Sequence, residues 1–247
     1  MISDDDRLAT DLAGEAGCLL LALRARGGDP SALRQAGDRS SHEFLTAELA
    51  RHRPGDAVLS EEGADDPARL AARRVWIVDP LDGTREFGEP GRTDWAVHVA
   101  LWEAGELTAG AVALPAQGQV LSTADPVAPP PTPPAGTLRL VVSRTRPPDF
   151  IARLADKIGA EAVPLGSAGA KAAAVICGRA EVYVHDGGQY EWDSAAPVAV
   201  ALAAGLHASR IDGSKLVYNQ AVPSVPDILI CQAALADMLL GAISSVR

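Results

Sequence analysis

"VWIVDPLDGTREF" occupies Val75 to Phe87. Four apolar residues run into two acids, Asp79 and Asp82, and then into a Gly-Thr pair, Gly83 and Thr84. The stretch 74–79 has the β-branched and aromatic composition of a strand. A surface turn explains the glycine and Pro80. It does not explain two carboxylates and a hydroxyl at the end of an apolar strand, where an unpaired charge is costly.

Working outward, apolar residues at helical spacing from Leu8 to Leu23 predict an amphipathic helix over roughly 5–26, ended by "RGGDP". A second helix is expected over 41–52. A short strand (57–60) leads into "EEG". The segments 95–102, "LTAGAVAL" and "QVLST" read as an antiparallel meander. Residues 125–136, "DPVAPPPTPPAG", hold six prolines and read as a stiff surface connection. This divides the chain into an N-terminal α+β half (1–125), a linker (126–136) and a C-terminal α/β half (137–247). In the second half strands alternate with helices at 148–158, 169–178 and 194–204, and the last short strands end at "DILIC".

The chain has 247 residues, 47% of them apolar, which is enough for a substantial core. A net charge of −10 argues against a nucleic-acid polymer as partner. No stretch approaches the length of a membrane span, and "MISDDDRLAT" lacks the character of a targeting peptide. Three scattered cysteines, Cys18, Cys177 and Cys231, lie in apolar contexts and read as buried free thiols. A cytoplasmic location is expected, with the protein a monomer or homodimer.

Three acidic islands stand at the ends of apolar elements: "SEEG" with Glu61 and Glu62, "DPLDGT", and "EWDSAA" with Glu191 and Asp193. Taken singly, each has an ordinary explanation as a solvated turn or a helix cap. Carboxylates that meet in one cleft repel each other unless cations intervene. A set of oxygen donors without a His/Cys cluster points to Mg²⁺ rather than zinc. In that reading Asp79 and Asp82 ligate metal, and the Leu81 carbonyl can join them. Gly83 and Thr84 offer N–H groups to a phosphate, and the Thr84 hydroxyl can orient an attacking water.

"SEE", "DPLDGT" and "EWDSAA", in this order, resemble the motifs of the inositol monophosphatase superfamily of Mg²⁺-dependent, lithium-sensitive phosphatases. The resemblance covers Asp38 to the C-terminus. It implies a layered αβαβα sandwich of the inositol monophosphatase and fructose-1,6-bisphosphatase type, with the active site between the halves. It further implies two or three Mg²⁺ ions held by Glu61, Asp79, the Leu81 carbonyl, Asp82 and Asp193. Thr84 and an upstream aspartate would activate the water. Upstream, "LRQAGDRSSHEF" (33–44) departs from the family pattern, having neither lysine nor threonine. Asp38 is the best match for the aspartate, ahead of Asp29.

Within the superfamily, "VVSRTR" (141–146) and "GSAGAK" (166–171) are similar to segments of the CysQ-type 3′(2′),5′-bisphosphate nucleotidases. This similarity implies substrate contacts from Ser143, Arg144, Gly166, Ser167, Lys171 and Glu191, beside Gly83 and Thr84. The implied reaction converts 3′-phosphoadenosine 5′-phosphate to AMP and phosphate in sulfate assimilation, with the activated sulfate donor as a further substrate. The rival is the same chemistry on inositol-1-phosphate or fructose-1,6-bisphosphate. A non-catalytic nucleotide or metal sensor would need a broken site, and all five expected metal-ligand positions are present. His98 reads as a structural histidine.

Overall fold

The computed structural model describes residues 2–128 and 136–247. Helix α1 (Asp4–Ala25) starts at a capping box in which Ser3 and Asp6 satisfy each other's backbone N–H groups. Helix α2 (Pro30–His52) begins well before the predicted Ser41. Asp29 accepts from the Ser31 and Ala32 N–H groups, and Pro30 takes the first helical position. The polar run from Arg34 to Ser40 obscured this start, because few of its residues face the core.

Strands β1 (Ala57–Ser60), β2 (Arg74–Asp82), β3 (Ala96–Glu103), β4 (Glu106–Leu114) and β5 (Gln119–Ser122) form one sheet in sequence order. β1 and β2 are parallel and the remaining pairs antiparallel, so the predicted meander is present. A one-turn helix, α3 (Thr84–Gly88), follows β2. The second sheet has the order β7-β6-β8-β10-β9. Its strands are β6 (Leu138–Ser143), β7 (Ala160–Leu165), β8 (Val182–Tyr190), β9 (His207–Ser209) and β10 (Ser224–Cys231). The accompanying helices are α4 (Ile151–Ile158), α5 (Ala168–Ile176), α6 (Glu191–Ala203) and α7 (Ala236–Val246). α6 begins at Glu191, not 194, so all of "EWD" belongs to its first turn. α7 was not among the predicted elements.

The layers follow from three apolar clusters. α1 and α2 cover one face of the first sheet through Leu12, Leu45, Trp76 and Val99. α5 and α6 fill the space between the sheets, with Ile77, Ala100, Val175, Val200 and Ile230 in one core. α4 and α7 cover the far face of the second sheet through Leu154, Val184 and Leu239. The result is the expected αβαβα sandwich. The middle layer is rich in alanine because two sheets must close on it: a Cβ on Gly110 of β4 would lie 2.7 Å from the Cβ of Ala199 in α6.

Of the proline run, residues 129–135 lie outside the described residues. Among the described residues no helix is long and apolar enough to cross a membrane. Of the three cysteines predicted to be buried, only Cys231 is; Cys177 is half-buried and Cys18 is exposed. The buried stripe of α1 runs through Leu8, Leu12, Ala16 and Leu20, and Cys18 is turned off it.

Candidate active site

In an ordinary strand, residues three apart point to opposite faces. Asp79 and Asp82 do not. In the β2–β3 ladder Asp79 pairs with His98 and Asp82 with Ala96, so two residues of β2, Pro80 and Leu81, stand against one of β3. This bulge flips the alternation. Asp79 and Asp82 therefore share the face that looks toward α5 and α6, while Leu81 turns into the core beneath α1 and α2. Pro80, with no N–H to offer a ladder, suits the irregular position. Its carbonyl is held by the Ser41 hydroxyl of α2 at 2.7 Å.

α6 brings the third acid. Asp193, in its first turn, accepts from the Tyr190 N–H at 2.7 Å. Asp79, Asp82 and Asp193 offer carboxylate oxygens that all lie within 4.8 Å of one another. Asp79 and Asp82 are only 1% and 6% exposed. Burial, then the charges of Glu61, Asp82 and Asp193, hold the Asp79 carboxyl well above the usual range. Burial, then Asp82, push Asp193 up to about 6. Glu61, one residue beyond β1, stays open to solvent at the rim. Even so, the crowding around its carboxyl and the charges of Asp193, Asp82 and Glu62 push it up to about 7.

Asp82 behaves differently. Burial alone would raise its pKa, but His98 reverses the direction. His98 is fully buried, with Nε2 3.2 Å from Asp82 Oδ2 and Nδ1 3.0 Å from the Trp192 carbonyl. The N-terminus of α5 adds the Ala168 and Gly169 N–H groups, donating to Asp82 at 3.1 and 2.6 Å. His98 is thus structural, as its mid-strand place suggested, and its structure is that of the acidic cluster. A set of hard oxygens this crowded, with one imidazole and one lysine nearby, fits divalent cations: they would relieve the repulsion that the chain leaves in place.

Beyond β2 the chain turns sharply at Gly83, whose φ is +84°. A Cβ there would lie 2.9 Å from the Cβ of Ser167, so only glycine fits. Thr84 then opens α3. Its hydroxyl stands 3.1 Å from Asp38 Oδ1 and 3.1 Å from the Leu81 carbonyl. Asp38 reaches it from the middle of α2, and Asp29 is spent as that helix's cap. Burial, then Glu62, push Asp38 up to about 6.

A cavity of about 550 Å³ opens beside this cluster. Asp82, Gly83, Thr84 and Asp193 line one part of it; Ser143, Gly166, Ser167 and Lys171 line another. Ser167 caps α5, its hydroxyl accepting from Ala170 N at 2.9 Å. Lys171 is buried and donates to the Gly166 and Ser167 carbonyls at 2.5 and 2.8 Å. Burial pushes its pKa down to about 8. The Ser143 hydroxyl accepts the N–H of Arg146 at 3.1 Å.

Two of the expected substrate contacts are placed elsewhere. Glu191 is fully buried, and its carboxylate accepts the Asn219 and Gln220 N–H groups at 2.7 and 2.8 Å. The same loop is gripped by the buried Arg69, so Glu191 fastens the start of α6 to the 219–220 segment. Arg144 donates to Glu86 at 2.5 Å and to Glu89 at 3.0 Å, and does not line the cavity. Sequence reasoning passed over Glu86, Arg146, His185 and Gln189, which do line it. Only "TREF", with an acid in the first turn of a helix, gave a local sign of Glu86.

The model of the inositol monophosphatase family matches residues 22–246. A 3′-phosphoadenosine 5′-phosphate phosphatase of Mycobacterium bovis is 55% identical over 241 residues, covering 93% of this chain and 90% of that protein. One from Mycobacterium leprae is 52% identical, covering 98% and 94%. Among solved structures, CysQ from Bacteroides thetaiotaomicron superposes with a TM-score of 0.79 at 26% identity, covering 91% of this chain and 96% of that one. The matched span, residues 22–246, contains all three acidic islands, and the chain belongs to the inositol monophosphatase family.

Proposed function

We propose that this protein is a Mg²⁺-dependent phosphatase that removes the 3′-phosphate of 3′-phosphoadenosine 5′-phosphate, giving AMP and phosphate. It would also act on 3′-phosphoadenylyl sulfate and serve sulfate assimilation. The observation that carries the substrate is the 55% identity, over nearly the whole length, to proteins named for that activity. The observation that supports the chemistry is the buried carboxylate cluster beside the Thr84–Asp38 pair.

In this reading Glu61, Asp79, Asp82, Asp193 and the Leu81 carbonyl hold two or three Mg²⁺ ions. When bound, the ions neutralise the phosphate and stabilise charge on the leaving oxygen. The protein's own groups do the rest. Thr84 has one proton to give, and donating it to Asp38 leaves the Leu81 carbonyl free. The Thr84 oxygen then accepts a hydrogen bond from the attacking water. Asp38, whose raised pKa suits it to take up a proton near neutrality, is the base at the end of that relay. Gly83 lets backbone N–H groups approach the phosphate closely. Lys171, held by two carbonyls, adds positive charge to the cavity wall.

The test is phosphate release with Mg²⁺ from 3′-phosphoadenosine 5′-phosphate, inositol-1-phosphate and fructose-1,6-bisphosphate. A nucleotide preference of about a hundredfold in kcat/KM, roughly 2.7 kcal/mol of transition-state discrimination, is the expected result. Comparable rates on all three would overturn the substrate assignment. Millimolar lithium should inhibit, and chelation should abolish turnover.

A further inference from the structure

We propose that Arg146 is the specificity-determining residue that grips the second, non-reacting phosphate of the substrate. The inference rests on the proposed bisphosphate substrate and concerns the half of the cavity that the chemistry above leaves unused.

The cavity is far larger than one phosphate needs; its volume is that of sites holding whole small molecules. One part carries the acids, Gly83 and Thr84. A second phosphate must lie elsewhere, and a dianion there needs a cation that is not already neutralised. The nearby arginines divide sharply on this point. Arg144 is paired with Glu86 and Glu89. Arg92 is paired with Asp94. Arg146 lines the cavity, is exposed, and makes no ion pair among the described residues.

The surroundings aim Arg146. Its N–H is fixed by the Ser143 hydroxyl. Two residues earlier, the Arg144 ion pairs tie the same loop to α3. The guanidinium lies close against Gly188, whose φ of +73° keeps that backbone bare. A Cβ there would be 3.3 Å from Arg146 Nη1. Gln189 and His185 border the same region. Burial, then Lys171, push His185 down to about 4, so near neutral pH it adds no charge there, and its Nε2–H is held by the Gly187 carbonyl at 2.7 Å. An unpaired guanidinium presents a planar fork that matches phosphate oxygens.

One other cavity-lining arginine makes no ion pair among the described residues, Arg85 on α3, and it is exposed. It follows Thr84 directly and so neighbours the reacting phosphate. The two arginines and the two phosphates are thus sorted by position: Arg85 beside Thr84, Arg146 on the β6–β8 side.

The experiment compares kcat/KM for 3′-phosphoadenosine 5′-phosphate with that for 3′-AMP, which lacks the 5′-phosphate. Full-length protein with Mg²⁺ is used as wild type, Arg146→Ala, Arg146→Lys and Arg85→Ala. Arg146→Ala should lower the bisphosphate value tenfold or more, mainly through KM, and the 3′-AMP value less than threefold. Arg146→Lys should recover part of the loss. Inhibition by the product AMP should weaken by a similar factor in Arg146→Ala. Equal losses on both substrates would overturn the inference, as would a selective loss only in Arg85→Ala. If wild type turns over neither adenosine compound, the nucleotide assignment fails, and the ratio is read with fructose-1,6-bisphosphate against inositol-1-phosphate. There a selective loss still supports a grip on the second phosphate, and an equal loss overturns it.

Discussion

Asp79→Asn and Asp82→Asn should move the stability of the metal-free protein in opposite directions, although both remove one carboxylate from the acidic cluster. Two unit charges 4.8 Å apart, the outer limit within the cluster, repel by about 3.5 kcal/mol at an effective dielectric of ~20. Asp79 is penalised by burial and then by this repulsion from its neighbours, and its carboxylate accepts the Leu81 N–H at 3.0 Å. An asparagine oxygen can keep that hydrogen bond without the charge. Partial protonation already relieves some of the repulsion, so the expected gain is about 1–2 kcal/mol. Asp82→Asn relieves similar repulsion but breaks more. It removes the attraction to His98 and points an amide N–H at a backbone N–H of Ala168 or Gly169. Each charge-assisted bond lost is worth about 1.5–3 kcal/mol, so a net loss of about 1–3 kcal/mol follows. For a chain of this size 1 kcal/mol shifts Tm by about 2–4 °C. In excess chelator, Asp79→Asn should therefore melt about 2–8 °C above wild type, and Asp82→Asn about 2–12 °C below. Saturating Mg²⁺ should stabilise wild type by about 2.7 kcal/mol at a hundred times Kd, and most of that gain should vanish in both variants. Thermal melts with and without metal read all of this. If Asp79→Asn melts below wild type in chelator, the account of the cluster as repulsion awaiting cations is wrong.

Two further outcomes are expected. His185 titrates near 6.5 when unfolded but is held down to about 4 when folded. Its contribution is therefore complete above the unfolded pKa and is lost as pH falls toward 4. At pH 5 the loss is about 2 kcal/mol, and urea unfolding of His185→Gln should show a flatter fall between pH 7.5 and 5; parallel falls would refute it. Thr84→Val keeps the shape but removes the hydroxyl that is proposed to link Asp38 to the attacking water. It should lower kcat by about 10²–10⁴ with Tm and Mg²⁺ stabilisation little changed, while Thr84→Ser retains most activity; normal turnover in Thr84→Val would remove Thr84 from the relay.

The sequence made the sandwich and its acidic cluster legible because those features are local. Strand β2, the meander and the three islands each carry their signal within a few residues. The sequence singled out Asp38 despite its polar setting, and the structure places its carboxylate against Thr84. What escaped depends on packing between distant segments. Glu191 was expected to contact substrate because "EWD", which also holds Asp193, fits the nucleotidase resemblance. Yet in the first turn of a helix these residues point in different directions, and Glu191 meets the 219–220 loop instead. Arg144 and Arg146 share a short motif, and nothing in it says which one Glu86 and Glu89 neutralise. That choice comes from α3, nearly sixty residues upstream. The true start of α2 was hidden because a helix lying against a crowded site keeps small and polar residues where an apolar stripe would announce it: Gly37 and Ser41 are its buried positions there.

The opening motif can now be read as one device. Two acids three apart would serve opposite faces of a regular strand, one of them buried under α1 and α2 against Trp76 and Val78. The extra residue at Pro80–Leu81 brings both to one side, and Gly83 then turns the chain so that Thr84 faces them. The counter-charges are distributed unevenly on purpose of geometry: His98, Lys171 and the α5 N-terminus all favour Asp82. The chain itself therefore holds Asp82 toward its charged form. Asp79, Asp193 and Glu61 are raised instead, first by burial and then by the charges of neighbouring carboxylates. One anchored carboxylate beside several frustrated ones is what a site needs if ion binding, rather than folding, is to complete its charge balance.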